Sequence, residues 1–193
     1  RRYSHARCGT VAGGLVVSDV SLVVGLCLLL PVLGAFAVLL LGSRPNARET
    51  ATLLTAGLTF WHVWRLLGHI LEGERPRLEL LEIVPGVQLA FEVEPLGLLF
   101  ALVASFLWIV TSLYAIGYMR GHNEKNQTRF FFFFAISIAG TMGVAFSANL
   151  FTLFAFYEVL TLCTFPLVTH HQTDEARKAG RVYLGILLTT SVA

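Results

Sequence analysis

Five stretches of roughly twenty mostly apolar residues occupy most of this chain, and a helix of that length is what crosses a bilayer. They run from about Val20 to Leu41, Thr50 to Leu71, Leu96 to Met119, Phe130 to Ser147 and Asn149 to Thr169. In lipid the backbone finds hydrogen-bond partners only within itself, so each stretch predicts a helix. Pro31 inside the first predicts a kink. The fourth and fifth are nearly continuous, and one helix through both is far too long for a single crossing. Ser147-Ala148-Asn149 therefore predicts a tight helical hairpin. A sixth stretch starts near Arg181 and reaches the last residue, Ala193, before it is long enough to cross. The expectation is an all-α polytopic membrane protein with five complete transmembrane helices and a truncated sixth.

Composition supports that reading. Hydrophobic residues make up 55% and charged residues 13% of the 193, against about 25% charged in soluble domains. Too few polar residues remain to wet a soluble surface, which excludes a soluble enzyme and a disordered tail. A net charge of +2 is no electrostatic footprint for nucleic acid. Cys8, Cys27 and Cys163 are scattered, with no metal spacing and no disulfide framework. Residues 1–19 are polar and Gly-rich and lack the cleavage logic of a signal peptide. They read as an extramembrane or non-native leader, with a genuine short tail as the alternative, and residues 20–193 read as one membrane domain.

Loop charge gives an orientation. Arg44 and Arg48, then Arg120, Lys125 and Arg129, then Arg177, Lys178 and Arg181 fall in loops on one side. The other side holds Arg75 and Arg77. The first side is expected to be cytoplasmic and the N-terminus outside, in a bacterial-type inner membrane. Between the second and third spans, Val87, Leu89, Phe91 and Val93 alternate with Gln88, Ala90, Glu92 and Glu94, the period of a half-buried strand. Pro85-Gly86 marks a turn before this run. A small extracytoplasmic β-hairpin is expected there. The acids in this loop are either a solvated rim or a collector of cations.

Chemistry at mid-membrane needs an ionisable group, and inserting one costs about 2.5–3.5 kcal/mol. Glu158 lies near the centre of the fifth span with no other charge within ten residues. Desolvation raises a carboxyl pKa and a nearby cation lowers it, so a site balanced between them can exchange a proton. The alternative is a structural glutamate, permanently paired or protonated. Thr161 shares the face of Glu158, and Pro166 leaves the Leu162 carbonyl without its helical donor. With His170 and His171 at the cytoplasmic end, these groups form a series able to pass protons through water; an ordinary Pro kink with interfacial histidines is the competing reading. On the second span His62, Arg65, His69 and Glu72 fall on one helix face. That stripe is a possible outer half-channel or an interfacial face with a snorkelling arginine. Phe130–Phe134 read as lipid anchors and packing. Ala135, Ala139, Gly143 and Ser147 form a small-residue seam for close helix approach. No metal, cofactor or catalytic constellation is visible, and the chain has no redox centre of its own.

The segments Phe91-Glu-Val-Glu-Pro-Leu-Gly-Leu-Leu-Phe100, Ser112-Leu-Tyr-Ala-Ile-Gly-Tyr-Met119 and Asn149-Leu-Phe-Thr-Leu-Phe-Ala-Phe-Tyr-Glu158 occur in an order that resembles a known family. It is the antiporter-like proton-translocating subunits of respiratory complex I, membrane-bound hydrogenases and Mrp-type cation/proton antiporters. The run from Tyr157 to His170, with Glu175 to Tyr183, looks most like the D-subunit branch of the Mrp group. The resemblance implies that Glu158 pairs with a lysine on a broken seventh helix, and that making and breaking this pair moves protons. It also implies partner subunits of an Mrp-type or complex I-like assembly, with protons and sodium as candidate ions. Glu94 stands where the family usually has Asp. Family members continue well beyond a sixth helix, so the chain reads as an N-terminal part, expected not to transport by itself. Cation/proton antiport leads. A proton-pumping, non-redox subunit of an NADH-quinone oxidoreductase or hydrogenase is the second reading, and a structural membrane scaffold the third.

Overall fold

The computed structural model describes residues 19–84, 87–170 and 173–192. The leader expected at residues 1–19, the Pro85-Gly86 turn and His171 therefore lie outside the described residues, apart from Asp19. In chain order the elements are α1 (Asp19–Leu40), α2 (Pro45–Leu71), β1 (Arg77–Val84), β2 (Val87–Glu92), α3 (Pro95–Gly121), α4 (Gln127–Ala145), α5 (Leu150–Val168) and α6 (Asp174–Val192). Among the described residues, α1, α3, α4 and α5 are long and apolar enough to cross a membrane. The molecule is a polytopic membrane protein. α2 is as long as α3 but carries Arg48, Glu49, His62, Arg65 and His69, which make it too polar for the same criterion.

Local sequence sets the helix ends. Pro45 and Pro95 open α2 and α3, where the missing N–H costs nothing. Asn149 caps α5, its Oδ1 accepting from the Thr152 N–H at 2.7 Å. α1 runs unbroken through Pro31. α6 begins at Asp174, well before the expected start near Arg181. Thr173 Oγ1 accepts from the Ala176 N–H at 3.1 Å, and Asp174 and Glu175 sit in the first turn. Acids favour that end of a helix, so residues taken for a basic loop form its opening turns.

The core lies where α1, α2, α3, α4 and the hairpin meet, around Val24, Cys27, Leu66, Trp108, Met142 and Phe91. Buried hydroxyls bond to their own helices: Thr52 to the Arg48 carbonyl at 3.0 Å, Thr59 to that of Thr55 at 2.9 Å and Ser105 to that of Ala101 at 2.7 Å. A hydroxyl satisfied in this way needs no partner from lipid. The opposite faces of α1 and α3 present Leu29, Leu33, Phe36, Leu99, Phe106 and Leu113 outward, as a lipid-facing surface does.

The two strands pair antiparallel, with irregularities between Glu79 and Leu81 and between Glu82 and Val84. β2 is pinned on its other edge by the turn joining α4 to α5. The Glu92 N–H donates to the Phe146 carbonyl at 2.8 Å, and the Ala148 N–H to the Ala90 carbonyl at 3.0 Å. Asn149 Nδ2 adds a bond to the Gln88 carbonyl at 2.7 Å. The Ala90 N–H also donates to Thr152 Oγ1 of α5 at 3.2 Å, and Ala90, which the alternation assigns to water, is as buried as Phe91. The small-residue seam of α4 faces its neighbours closely: a Cβ on Gly143 would stand 2.0 Å from the Phe156 ring of α5. Of the five phenylalanines, Phe131 is fully buried and no lipid anchor. It lies beneath the Arg48 guanidinium, 5.4 Å from the ring centroid.

Candidate functional site

α5 is built from apolar residues because only such a sequence suits its position, yet only Thr152 and Thr161 on it are buried. It packs on α4, β2 and α6 and leaves Leu150, Leu153, Phe154 and Leu162 exposed. Glu158 stands eight residues after its first residue and ten before its last, about 12 and 15 Å along the axis. The side chain is half-buried. Its Oε1 is enclosed and has no hydrogen-bond partner among the described residues, and no described cation pairs with it. An enclosed polar oxygen without a partner costs about 1–3 kcal/mol.

Toward the end of α5 the other expected residues fall into two groups. Thr161 is buried, and its carbonyl accepts from Thr164 Oγ1 at 2.8 Å. Further on, Arg129 Nη2 donates to the carbonyls of Pro166, Thr169 and His170 at 3.1, 3.0 and 3.3 Å. The His170 ring stands edge-on to Phe130 with centroids 6.0 Å apart. His170 lies twelve positions beyond Glu158, roughly 18 Å along a helix. Direct transfer needs hydrogen-bond contact of about 3 Å, so any exchange between them requires intervening water.

The stripe on α2 is elsewhere. Its helix packs on α1 and α3, with Val63 and Leu66 turned inward. Arg65 is exposed, while His62 Nδ1 bonds its own helix at the Leu58 carbonyl, 2.7 Å away. His69 Nδ1 meets Glu74 Oε2 at 2.8 Å. The fold also brings ligand atoms of His69, Glu72 and Glu74 within 4.8 Å of one another, a surface grouping that sequence spacing did not single out.

A charged cluster at the opposite end of α2 was also missed. Arg48 and Glu49 are both buried. Arg48 donates to Thr128 Oγ1 at 3.0 Å and Gln127 Oε1 at 2.7 Å. Arg120 binds the Glu49 carboxylate through both oxygens, Nε to Oε1 at 3.0 Å and Nη2 to Oε2 at 2.5 Å. The cluster ties α2 to the end of α3 and the start of α4. One signal was available: Glu49 is the only acid between Asp19 and Glu72, set among basic residues.

The helical bundle thus carries an acid at mid-helix with no described partner, and comparison with known proteins shows what the chain is similar to. The model of the family described as NADH-Ubiquinone oxidoreductase (complex I), chain 5 N-terminus, matches residues 85–131. A Staphylococcus epidermidis protein named antiporter subunit mnhD2 is 33% identical over 99 residues, 51% of this chain and 19% of that protein. Hydrogenase-4 component B of Escherichia coli is 31% identical over 104 residues, 54% of this chain and 16% of that protein. A chain of the membrane-bound sulfane sulfur reductase, an archaeal respiratory membrane complex, shares the fold with a TM-score of 0.69 at 22% identity, over 84% of this chain and 24% of that one. By these matches the chain is similar to antiporter-like subunits of Mrp, complex I and hydrogenase complexes. The chain spans less than a fifth of the length of these two curated relatives.

Proposed function

We propose that this chain is the N-terminal part of a subunit that moves protons across the membrane in exchange for a monovalent cation, with Glu158 as the exchanging group. The observation that carries the reading is the enclosed, unpartnered Oε1 of Glu158 in the middle of α5. A permanently structural glutamate would have its partner within the bundle; this one has none among the described residues. Its counter-charge then comes from further helices of the same subunit, as the lysine of the family's broken helix would. Making and breaking that pair, as the family resemblance implies, is what loads and unloads the proton. Thr161, the carbonyl freed by Pro166, and His170 with His171 extend the route by way of water, and His62, Arg65 and His69 are candidates for an outer approach.

Contacts at one end of the bundle favour the expected topology. Glu49 near the first turn meets Arg120 near the third, and Arg129 binds the end of α5. The β-hairpin and the α4–α5 turn lie together at the other end. With α1 and α3 crossing, α2 runs back between them and crosses as the fifth span. The basic end is cytoplasmic and the N-terminus outside.

The test is the full-length parent subunit, reconstituted with its partners in proteoliposomes carrying a pH-sensitive dye. Addition of sodium or potassium is expected to collapse an imposed pH gradient, and Glu158→Gln to abolish that response. Retention of the full response in Glu158→Gln excludes the reading. The second reading, a redox-driven proton pump, is favoured by the hydrogenase component and the respiratory complex among the similar proteins. It predicts proton movement that follows electron transfer and ignores the added cation. The partners in either case are other membrane subunits.

A further inference from the structure

The basic residues at the start of α6 have a geometry that the transport reading does not use. Arg129 of α4, Arg177 and Arg181 of α6, and Phe165 and Thr169 of α5 line one cleft of about 280 Å³. None of the three arginines makes an ion pair among the described residues. Arg129 spends Nη2 on the last carbonyls of α5, and its Nε has no acceptor. Arg181 makes one long bond, from Nε to the Arg177 carbonyl at 3.4 Å. Asp174 and Glu175, one turn earlier, pair with neither of them. The spacing is enforced rather than incidental. Gly180 is buried against α5, where a Cβ would stand 2.3 Å from Thr169 Cγ2 and 3.1 Å from the Phe165 ring. This close approach holds Arg177 and Arg181, four apart on one helix face, over the end of α5.

Three like charges directed into one small cleft repel unless an anion sits among them. Planar guanidinium groups match phosphate oxygens in paired hydrogen bonds. The cleft lies at the ends of two membrane-competent helices, α4 and α5, with an aromatic wall at Phe165. That is the depth of a lipid headgroup, and basic pockets between membrane helices take anionic headgroups. The geometry points to a binding site for the phosphate of an anionic membrane phospholipid between α4, α5 and α6. The site depends on the membrane fold and is independent of the role given to Glu158.

Native mass spectrometry of the full-length subunit released from bilayers tests this, with phosphatidylglycerol and phosphatidylcholine present in equal amounts. Phosphatidylglycerol is expected to stay bound in preference to phosphatidylcholine. Arg177 and Arg181 are exposed, so Arg177→Gln with Arg181→Gln should fold normally and lower that retention by about thirtyfold, given the usual attraction per basic residue at an anionic surface. An unchanged thermal midpoint in the same variant confirms that the loss is local. Equal retention of the two lipids, or unaltered phosphatidylglycerol in the double variant, overturns the site. Displacement of the lipid by inorganic phosphate at comparable concentration overturns the lipid and leaves a free-anion site. No lipid retained, with a carboxylate from the remainder of the subunit cross-linked to Arg177, also overturns it.

Discussion

Glu49 and Glu158 are both acids set within long helices of the bundle, and their surroundings differ in every respect that governs a proton. Glu49 sits one turn into α2, with both oxygens engaged by Arg120 and Arg48 close by at 3.6 Å. Removing it would take from the buried Arg48 guanidinium its neighbouring counter-charge. Glu158 sits at the middle of α5 with an enclosed oxygen that nothing described satisfies. A carboxylate surrounded by its own counter-charges is a fastener. One held without them is, on the proposed reading, the exchanging group. Glu49 is buried and Glu158 half-buried, so what separates them most is the presence or absence of described partners.

Substitutions can break this contrast. The largest effect falls on transport. Glu158→Gln in the full-length subunit should abolish cation-dependent proton flux while leaving the thermal midpoint within error of the parent, since no described partner is lost. Glu49→Gln should do the reverse. It leaves Arg48 buried beside a neutral group and should destabilise the fold by about 3 kcal/mol, the range for stranding a buried charge, read as a lowered unfolding temperature. Flux per folded molecule should stay unchanged. A smaller effect is expected from Gly143→Ala, whose Cβ meets the Phe156 ring. Forcing α4 from α5 should destabilise by about 1–3 kcal/mol and, because Glu158 rides on α5, should also reduce flux. A stable Gly143→Ala with undiminished flux would separate the position of α5 from the exchange.

Much of this fold is legible in the sequence because lipid imposes a simple demand. Apolar length alone marks α1, α3, α4 and α5, and excess length marks the turn at Ser147-Ala148-Asn149. What escapes is what depends on neighbours. Ala90 is read as water-facing because strand alternation cannot foresee that the α4–α5 turn and the start of α5 dock along the free edge of β2. The start of α6 is missed because charge density suggests a loop, although acids followed by bases are what a helix terminus accepts. Phe131 looks like one anchor among five until Arg48 is seen above it. The candidate site divides in the same way. The depth of Glu158 is a matter of counting residues, and that singled it out. That its oxygen is unpartnered, and that Glu49 is fully partnered through a residue 71 positions away, are facts of the folded chain.

Infrared difference spectroscopy of the full-length subunit in lipid, recorded before and after a sodium gradient is applied, tests the central claim most directly. A protonated carboxyl band that appears or vanishes with the gradient, is absent in Glu158→Gln and persists in Glu49→Gln, is the predicted result. A band that survives in Glu158→Gln, or disappears only in Glu49→Gln, would contradict it.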